Sequence, residues 1–420
     1  MADAEVEVVV EIGGEDVFAG RMWSHRRRGA ESATFSYTGE YLARDDAYEL
    51  DPGLPLYAGQ QQTRAGQAMF GALSDCAPDR WGRRLIARAE RRRAAQEGVA
   101  ERSFGEIDYL LGVRDDLRQG ALRLRDPATG TYMADQAGGV PPLVALPELL
   151  SAAERLERDE ASEDELRLLL RDGSSLGGAR TKAHVLDAED RVSIAKFPSG
   201  AGDEWDVMRW EAVALRLARA AGIRVEDWKL YVVDGKAVLI VERFDRVGAL
   251  RIGYASAMTM LEAADGDQAS YLDLAEVIER QSSEAREDLH QLWRRIAFSV
   301  LISNTDDHLR NHGFLRTSNA GWELSPAFDL NPDPSPGPKH LSTAIDFDDT
   351  TASVDTVMSV APYFRLGDGD ARQVLGEVSK AVGQWRAVAV ETGLDRTALK
   401  QMAPAFDHDR ADRARQILGS

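Results

Sequence analysis

Apolar and polar residues alternate at the start of the chain. Val6, Val8, Val10 and Ile12 fall at every second position, with Glu5, Glu7 and Glu11 between them. This is the period of a strand with one buried face. Gly13-Gly14 predicts a turn into a second strand around Val17 to Gly20, and Phe35 and Tyr37 share one face of another. From Ala65 to about Gln96 the period lengthens to that of a helix, with Pro78 near a start signal. Residues 100–120 continue in a mixed pattern. Loop-forming stretches at Asp126 to Gly130 and Ala137 to Pro142 then mark a boundary.

Beyond that boundary, Pro147 to Glu157 and Glu163 to Arg171 read as helices, Pro147 suiting a first helical position. A strand-rich block follows over about 174–245. In it, Val192 to Phe197 ends one strand, and a helix runs from about Glu204 to Ala221 and stops at Gly222. Asp234-Gly235, between Trp228 to Val233 and Lys236 to Val241, predicts a hairpin with a tight primed turn. From Tyr271 onward the pattern is mostly helical. Leu292 to Ile302 is an apolar helix that delivers a loop at Asn304, a short hairpin follows before Ser325, and Val354 to Leu418 reads as further helix.

With 420 residues, 44% of them hydrophobic, the chain is long enough for two to three domains and a large core. No run of 18 apolar residues suggests a transmembrane helix, and the acidic start Met-Ala-Asp-Ala-Glu does not suit a signal peptide. The single cysteine, Cys76, excludes an internal disulfide framework and a cysteine zinc site, and a cytoplasmic location is expected. The net charge of −19 opposes binding to nucleic acid or anionic membrane outside local basic patches. Two patches occur, Arg26-Arg27-Arg28 and the arginine-rich stretch from Arg80 to Arg93. Such runs are usually solvated helix faces with acidic neighbours. The alternative is a docking surface for an acidic partner or for DNA held by a partner.

The chemistry concentrates between Asn304 and Asp329. Asp306 and Asn311 are five positions apart, the interval between the Asp and Asn of a protein-kinase catalytic loop, and Asp329 follows 23 residues after Asp306. One carboxylate accepts or orients a hydroxyl proton, while an amide and a second carboxylate suit magnesium. Spacing to Asn311 favours Asp306 over Asp307. His308 and His312 alone make a weak zinc site, and His308 reads better as a brace for the loop. Arg310 is either a surface arginine or a group that offsets phosphoryl charge. Upstream, Ser174 to Lys182 is a turn of small residues before a strand, and Lys196 lies on the next strand in Ile-Ala-Lys-Phe. Glu211 or Glu204, in the following helix, could pair with Lys196. Val241 to Arg246 would be a hinge whose backbone meets an adenine edge.

Five motifs in order resemble the HipA-type serine/threonine kinases, the toxin halves of bacterial HipA–HipB modules. They are Ser175 to Lys182, Ile194 to Pro198, Val241 to Arg246, Asn304 to Asn311 and Ser325 to Asp329. The stretch Leu73 to Gly82 is similar to a family motif in the N-terminal part. The resemblance implies an α+β, two-lobe protein-kinase-like fold: a small β-rich N-terminal subdomain over 1–142, a kinase N-lobe over 143–246, and an all-helical C-terminal lobe over 247–420. It implies ATP and Mg2+ as cofactors, with Asp306 as catalytic base and Asn311 and Asp329 as magnesium ligands. The implied ATP-binding set is Gly177, Gly178, Ala179, Arg180, Thr181, Lys182, Lys196, Glu242, Arg243, Phe244, His308, Asn311 and Asp329. Glu211 would pair with Lys196, and Ser175 matches the autophosphorylated serine, where added negative charge would silence the enzyme. The implied substrate is a translation protein such as an aminoacyl-tRNA synthetase, and the implied partner is a HipB-like DNA-binding antitoxin, through which alone DNA is met. Rival readings are a small-molecule phosphotransferase on the same lobes and a non-catalytic corepressor that only binds ATP or an antitoxin.

Overall fold

A computed structural model describes residues 4–27, 29–134, 140–173, 180–199 and 202–419. The chain forms two compact units. One comprises residues 1–201, 233–236 and 240–255, and the other 202–232, 237–239 and 256–420.

The first unit opens with an antiparallel sheet of five strands: β1 (Ala4–Ile12), β2 (Glu15–Arg27), β3 (Ala30–Tyr37), β4 (Gln60–Gln62) and β5 (Leu122–Arg125), in the order β4-β3-β2-β1-β5. The alternation in β1 predicts one buried face. The structure buries residues of both faces, Val6 to Val10 without a break, and a register shift at Val8/Val9 breaks the simple alternation. Glu7 is 8% exposed as a result, and its carboxylate accepts hydrogen bonds from Arg125 Nε at 2.8 Å and Arg21 Nη2 at 3.2 Å. Gly20 is required where β2 crosses β3, because a Cβ there would lie 2.4 Å from the Phe35 ring and the Ser36 carbonyl oxygen.

The predicted helix after Ala65 is two pieces, Gly71–Asp75 and Arg80–Glu97. Pro78 stands just before the second, where Asp79 caps the helix by accepting from Gly82 N at 2.6 Å. Three of its seven arginines are answered by acids of the same unit: Arg83 pairs with Glu106, Arg88 with Asp159, and Arg93 with Glu90. The Leu146–Glu157 and Glu163–Gly173 helices match the periodicity. Two further strands, β6 (Lys182–Leu186) and β7 (Val192–Lys196), pair antiparallel with Lys182 opposite Lys196.

The second unit is built on the Ala285–Ile302 helix, which buries Leu292, Trp293, Ile296 and Phe298 completely. It packs against the Tyr271–Gln281 and Asp368–Val382 helices. The Val207–Ala220 helix starts three residues later than the periodicity predicts. Asp206 caps it through Arg209 N at 3.0 Å, which leaves Glu204 ahead of the helix and Glu211 within it, 2% exposed. The expectation of an all-helical C-terminal half is corrected. Gly313–Ser318 and Gly321–Leu324 pair antiparallel, with Phe314 opposite Leu324. This pair exists because Trp322 O accepts from Ser283 N at 2.9 Å and because residue 321 has no side chain. A Cβ there would lie 2.7 Å from the Gln281 carbonyl oxygen. The Asp234-Gly235 turn has positive φ at both residues, 49° and 78°, as a primed turn requires. Among the described residues no helix is long and apolar enough to cross a membrane.

His408 closes the second unit near the end of the central helix. Its Nε2 donates toward the carbonyl oxygens of Leu301 and Ala405, at 3.2 and 3.1 Å, while Nδ1 accepts from Ala411 N at 3.1 Å. Both ring nitrogens are therefore used in the neutral form. Burial, with Arg410 nearby, pushes its pKa down to about 4 from 6.5. Between those values the unfolded chain takes up a proton that the folded chain refuses, so stability falls as pH falls through this window. In thermal melts from pH 7.5 to pH 4.5, His408→Gln should lose part of the acid-side fall in melting temperature shown by the parent. Equal slopes would exclude His408 as its source.

Candidate active site

The central helix of the second unit ends at Ser303, whose φ of 56° turns the chain out of the helix. Ser303 Oγ donates to Ala405 O at 2.9 Å and accepts from Arg410 Nη2 at 2.7 Å. The loop that follows is therefore anchored at its first residue. Asn304 is 1% exposed, and Asp306 and Asp307 then point to opposite environments.

Asp307 is 4% exposed. Its carboxylate accepts from Tyr271 Oη at 2.5 Å and Ser299 Oγ at 3.1 Å, and His312 Nε2 lies 3.1 Å away. Its backbone carbonyl accepts from Thr343 Oγ1 at 2.7 Å. Burial alone would raise its pKa, but His312 and the hydroxyl donors outweigh burial and hold the carboxyl below its usual range. Asp307 is thus a buried brace, and Asp306 is the exposed carboxylate of the pair.

The Asp306 pKa is shifted up. Partial burial is the largest cause, and the carboxylates of Asp329 and Asp307 add to it against the opposing pull of His308. Asp329 is therefore close enough to Asp306 for its charge to be felt. It adopts a left-handed backbone at φ 59°, and its carbonyl accepts from Asn331 Nδ2 at 3.2 Å. Asn311 donates Nδ2 to the Asp306 carbonyl at 2.8 Å, which directs its Oδ1 away from that bond. The loop thus brings together Asp306, Asn311 and Asp329, the three residues selected by spacing. His308 lies on the same loop, donating its backbone N–H to Asp306 O at 3.0 Å. Arg310 forms an exposed ion pair with Asp265. Among the described residues no group of three or more His, Cys, Asp or Glu side chains is placed to hold a metal.

Two residues of this region carry no short-range sequence signal. Lys339, 7% exposed, holds Asp333 at 2.6 Å, and Asp333 accepts in turn from Thr305 Oγ1 at 3.4 Å. Tyr271, 36 positions before Asp307 in the sequence, orients its carboxylate. Only proximity in the folded unit reveals either.

In the first unit, Ser175, Gly177, Gly178 and Ala179 lie outside the described residues. Arg180 and Thr181 lead into β6, and Thr181 O accepts from Phe197 N at 3.1 Å. Lys182, expected at the phosphates, is 5% exposed and ion-paired with Asp79 at 2.9 Å. Lys196 stands half-buried opposite it. Glu242 pairs with Arg191 at 2.5 Å, and the Phe244 ring stacks on Tyr254 with centroids 5.9 Å apart. The Arg243 guanidinium is committed to structure. It donates to Asp245 through Nε at 2.8 Å and Nη2 at 2.6 Å, and to the Leu117 carbonyl at 2.9 Å. Asp245 also accepts from Gly120 N at 2.7 Å and Arg246 Nη1 at 2.8 Å. Arg243 and Asp245 therefore form a buried ionic clamp within the Glu-Arg-Phe-Asp-Arg stretch.

The HipA-like C-terminal domain family matches residues 174–386, just over half of the chain. A Sinorhizobium fredii protein named "Putative kinase Y4mE" is 26% identical over 319 residues, 70% of this chain and 71% of that protein. A second from the same organism, "Putative kinase Y4dM", is 26% identical over 182 residues, 37% of this chain and 44% of its own length. The fold is similar to a chain in the structure of the Shewanella oneidensis MR-1 toxin–antitoxin system HipA, HipB and its operator DNA. The TM-score is 0.63 and the identity 14%, with 99% of each chain covered.

Tyr271→Phe removes a donor to the buried Asp307 carboxylate without changing the ring. Hydrogen bonds to charged groups contribute about 1.5–3 kcal/mol, so a clear drop in the urea unfolding midpoint is expected. Arg310→Ala breaks only an exposed pair and should leave the midpoint where it is.

Proposed function

We propose that this chain, which belongs to the HipA-like C-terminal domain family, is an ATP- and magnesium-dependent kinase acting on a serine or threonine hydroxyl of a protein. The observation that carries the reading is the loop itself. An exposed Asp306 of raised pKa stands beside Asn311, whose amide is turned by the Asp306 carbonyl, and feels the charge of Asp329.

In this reading Asp306 accepts or orients the proton of the acceptor hydroxyl, and its raised pKa makes it the better base. Asn311 Oδ1 and the Asp329 carboxylate are hard oxygen donors of the type magnesium takes. The repulsion between Asp306 and Asp329 is the kind that a cation relieves, so the donor set fits the ion. When bound, magnesium with ATP would supply the transferable phosphoryl group and neutralise its charge. The Asp307 brace holds Asp306 outward, which supports catalysis by positioning. Lys196 is the proposed phosphate lysine, and the backbone of Glu242 to Phe244, with the Phe244 ring, the proposed adenine contact. Glu211 remains the preferred acid over Glu204, being buried within its helix. His308 would brace the nucleotide side of the loop.

The finer proposals follow the family. Ser175 is the proposed autophosphorylation site, and its phosphate would silence the enzyme by like-charge repulsion. The partner is a HipB-like DNA-binding antitoxin, which would also supply any contact with DNA. The substrate is a translation protein, with an aminoacyl-tRNA synthetase the first to try, and the setting is the cytoplasm.

Incubation with ATP and magnesium should add about 80 Da, one phosphoryl group, mapping to Ser175. EDTA should abolish the gain. Asp306→Asn should cut transfer by about 100-fold or more while ATP binding persists, the loss expected for a general base. Undiminished transfer in Asp306→Asn would remove Asp306 from the role of base.

A further inference from the structure

The buried pair of Asp79 and Lys182 belongs to neither side of the loop chemistry. Asp79 sits in the Leu73 to Gly82 motif of the N-terminal subdomain, and Lys182 opens β6, 103 positions later. Their side chains are each 6% exposed, with Nζ and Oδ2 2.9 Å apart. Asp79 cannot shift to follow the lysine. It is also the N-cap of the 18-residue Arg80–Glu97 helix, held by Gly82 N at 2.6 Å. The helix start is therefore a fixed post, and Lys182 is tied to it.

The register gives this tie a consequence. Lys182 faces Lys196 directly across the β6–β7 pair, and residues directly opposite in an antiparallel pair project from the same face. Two ammonium groups side by side repel. An anion fixed against Lys182 relieves that repulsion. The pair is not there for stability alone. Burial raises the Asp79 carboxyl against the pull of Lys182, so desolvation takes back much of the attraction.

We infer that Asp79 is a positioning residue of the proposed kinase: by holding the Lys182 ammonium it fixes the start of β6, and with it the place of Lys196 on the shared face. This rests on the reading of Lys196 as the phosphate lysine. It also moves Lys182 out of direct contact with ATP and into the scaffold of the site.

The test is a double-mutant cycle on the full chain, read as the dissociation constant of a non-hydrolysable ATP analogue with magnesium. Thermal melts run alongside. Asp79→Asn keeps an acceptor for the helix cap and removes the charge. Lys182→Met keeps the length and removes the cation. Each single change breaks the tie and should weaken binding about tenfold, and the double variant breaks the same tie once, so it should be no more than about threefold weaker than either single. Loss of affinity measured well below the melting temperature of each variant separates positioning of Lys196 from loss of the fold. A Lys182→Met variant more than about threefold weaker than Asp79→Asn overturns the inference, because Lys182 then touches the nucleotide itself. Single variants that bind like the parent also overturn it. If the single variants do not fold, the double variant decides alone, and binding within about threefold of the parent overturns the inference. Lys196→Met is the control on the underlying reading. Unchanged binding there removes Lys196 from the ATP site whatever the cycle shows, and absence of binding by the parent overturns both.

Discussion

The loop from Asn304 to Asn311 depends on one buried carboxylate. Asp307 is buried, and no lysine or arginine among the described residues hydrogen-bonds its carboxylate. It is stabilised by Tyr271, Ser299 and His312. Each hydrogen bond to a buried charge of this kind contributes about 1.5–3 kcal/mol, so the network tolerates little rearrangement. Because Asp307 is fixed inward, its neighbour Asp306 is fixed outward. The geometry of the exposed acid is thus set by what its buried neighbour must satisfy. The anchoring of Ser303 by Ala405 and Arg410 completes the constraint from the other side.

The first unit uses the same device with opposite bookkeeping of sign. There the buried groups are arginines and acids in mutual contact: Glu7 with Arg21 and Arg125, and Asp245 with Arg243 and Arg246. Gly120 N and the carbonyl oxygens of Leu117 and Arg118 satisfy the remaining lone pairs and protons around Asp245 and Arg243. Such clusters are exacting. Each donor has few alternative acceptors, so the segments they join have few alternative arrangements.

What could be read in the chain follows from the distance over which each cause acts. Asp306, Asn311 and Asp329 could be singled out because the proposed chemistry imposes fixed intervals. The Asp234-Gly235 turn was legible because a primed turn needs those residue types. The Asp206 cap was not read, and it moves the helix start past Glu204. The burial of Asp307 was not legible, since Tyr271 lies 36 positions away. The two-sided burial of β1 was hidden because Glu7 looks like a solvent-facing position and is buried only through Arg21 and Arg125, which are distant in sequence. The strand pair after His312 was legible as a short hairpin but was left out of the fold class, and its support at Gln281 to Ser283 is a contact between distant backbones. Lys182 was placed at the phosphates by its position in a motif, and the acid that holds it comes from a different part of the sequence altogether.

The left-handed backbone at Asp329 carries an implication for how this protein can change over generations. Few residue types accept that conformation without strain, and asparagine is among them. A single transition in an aspartate codon yields asparagine. The charge can therefore be lost in one mutational step while the turn keeps its shape. A lineage can therefore exchange this carboxylate for an amide, and back again, without reshaping the loop.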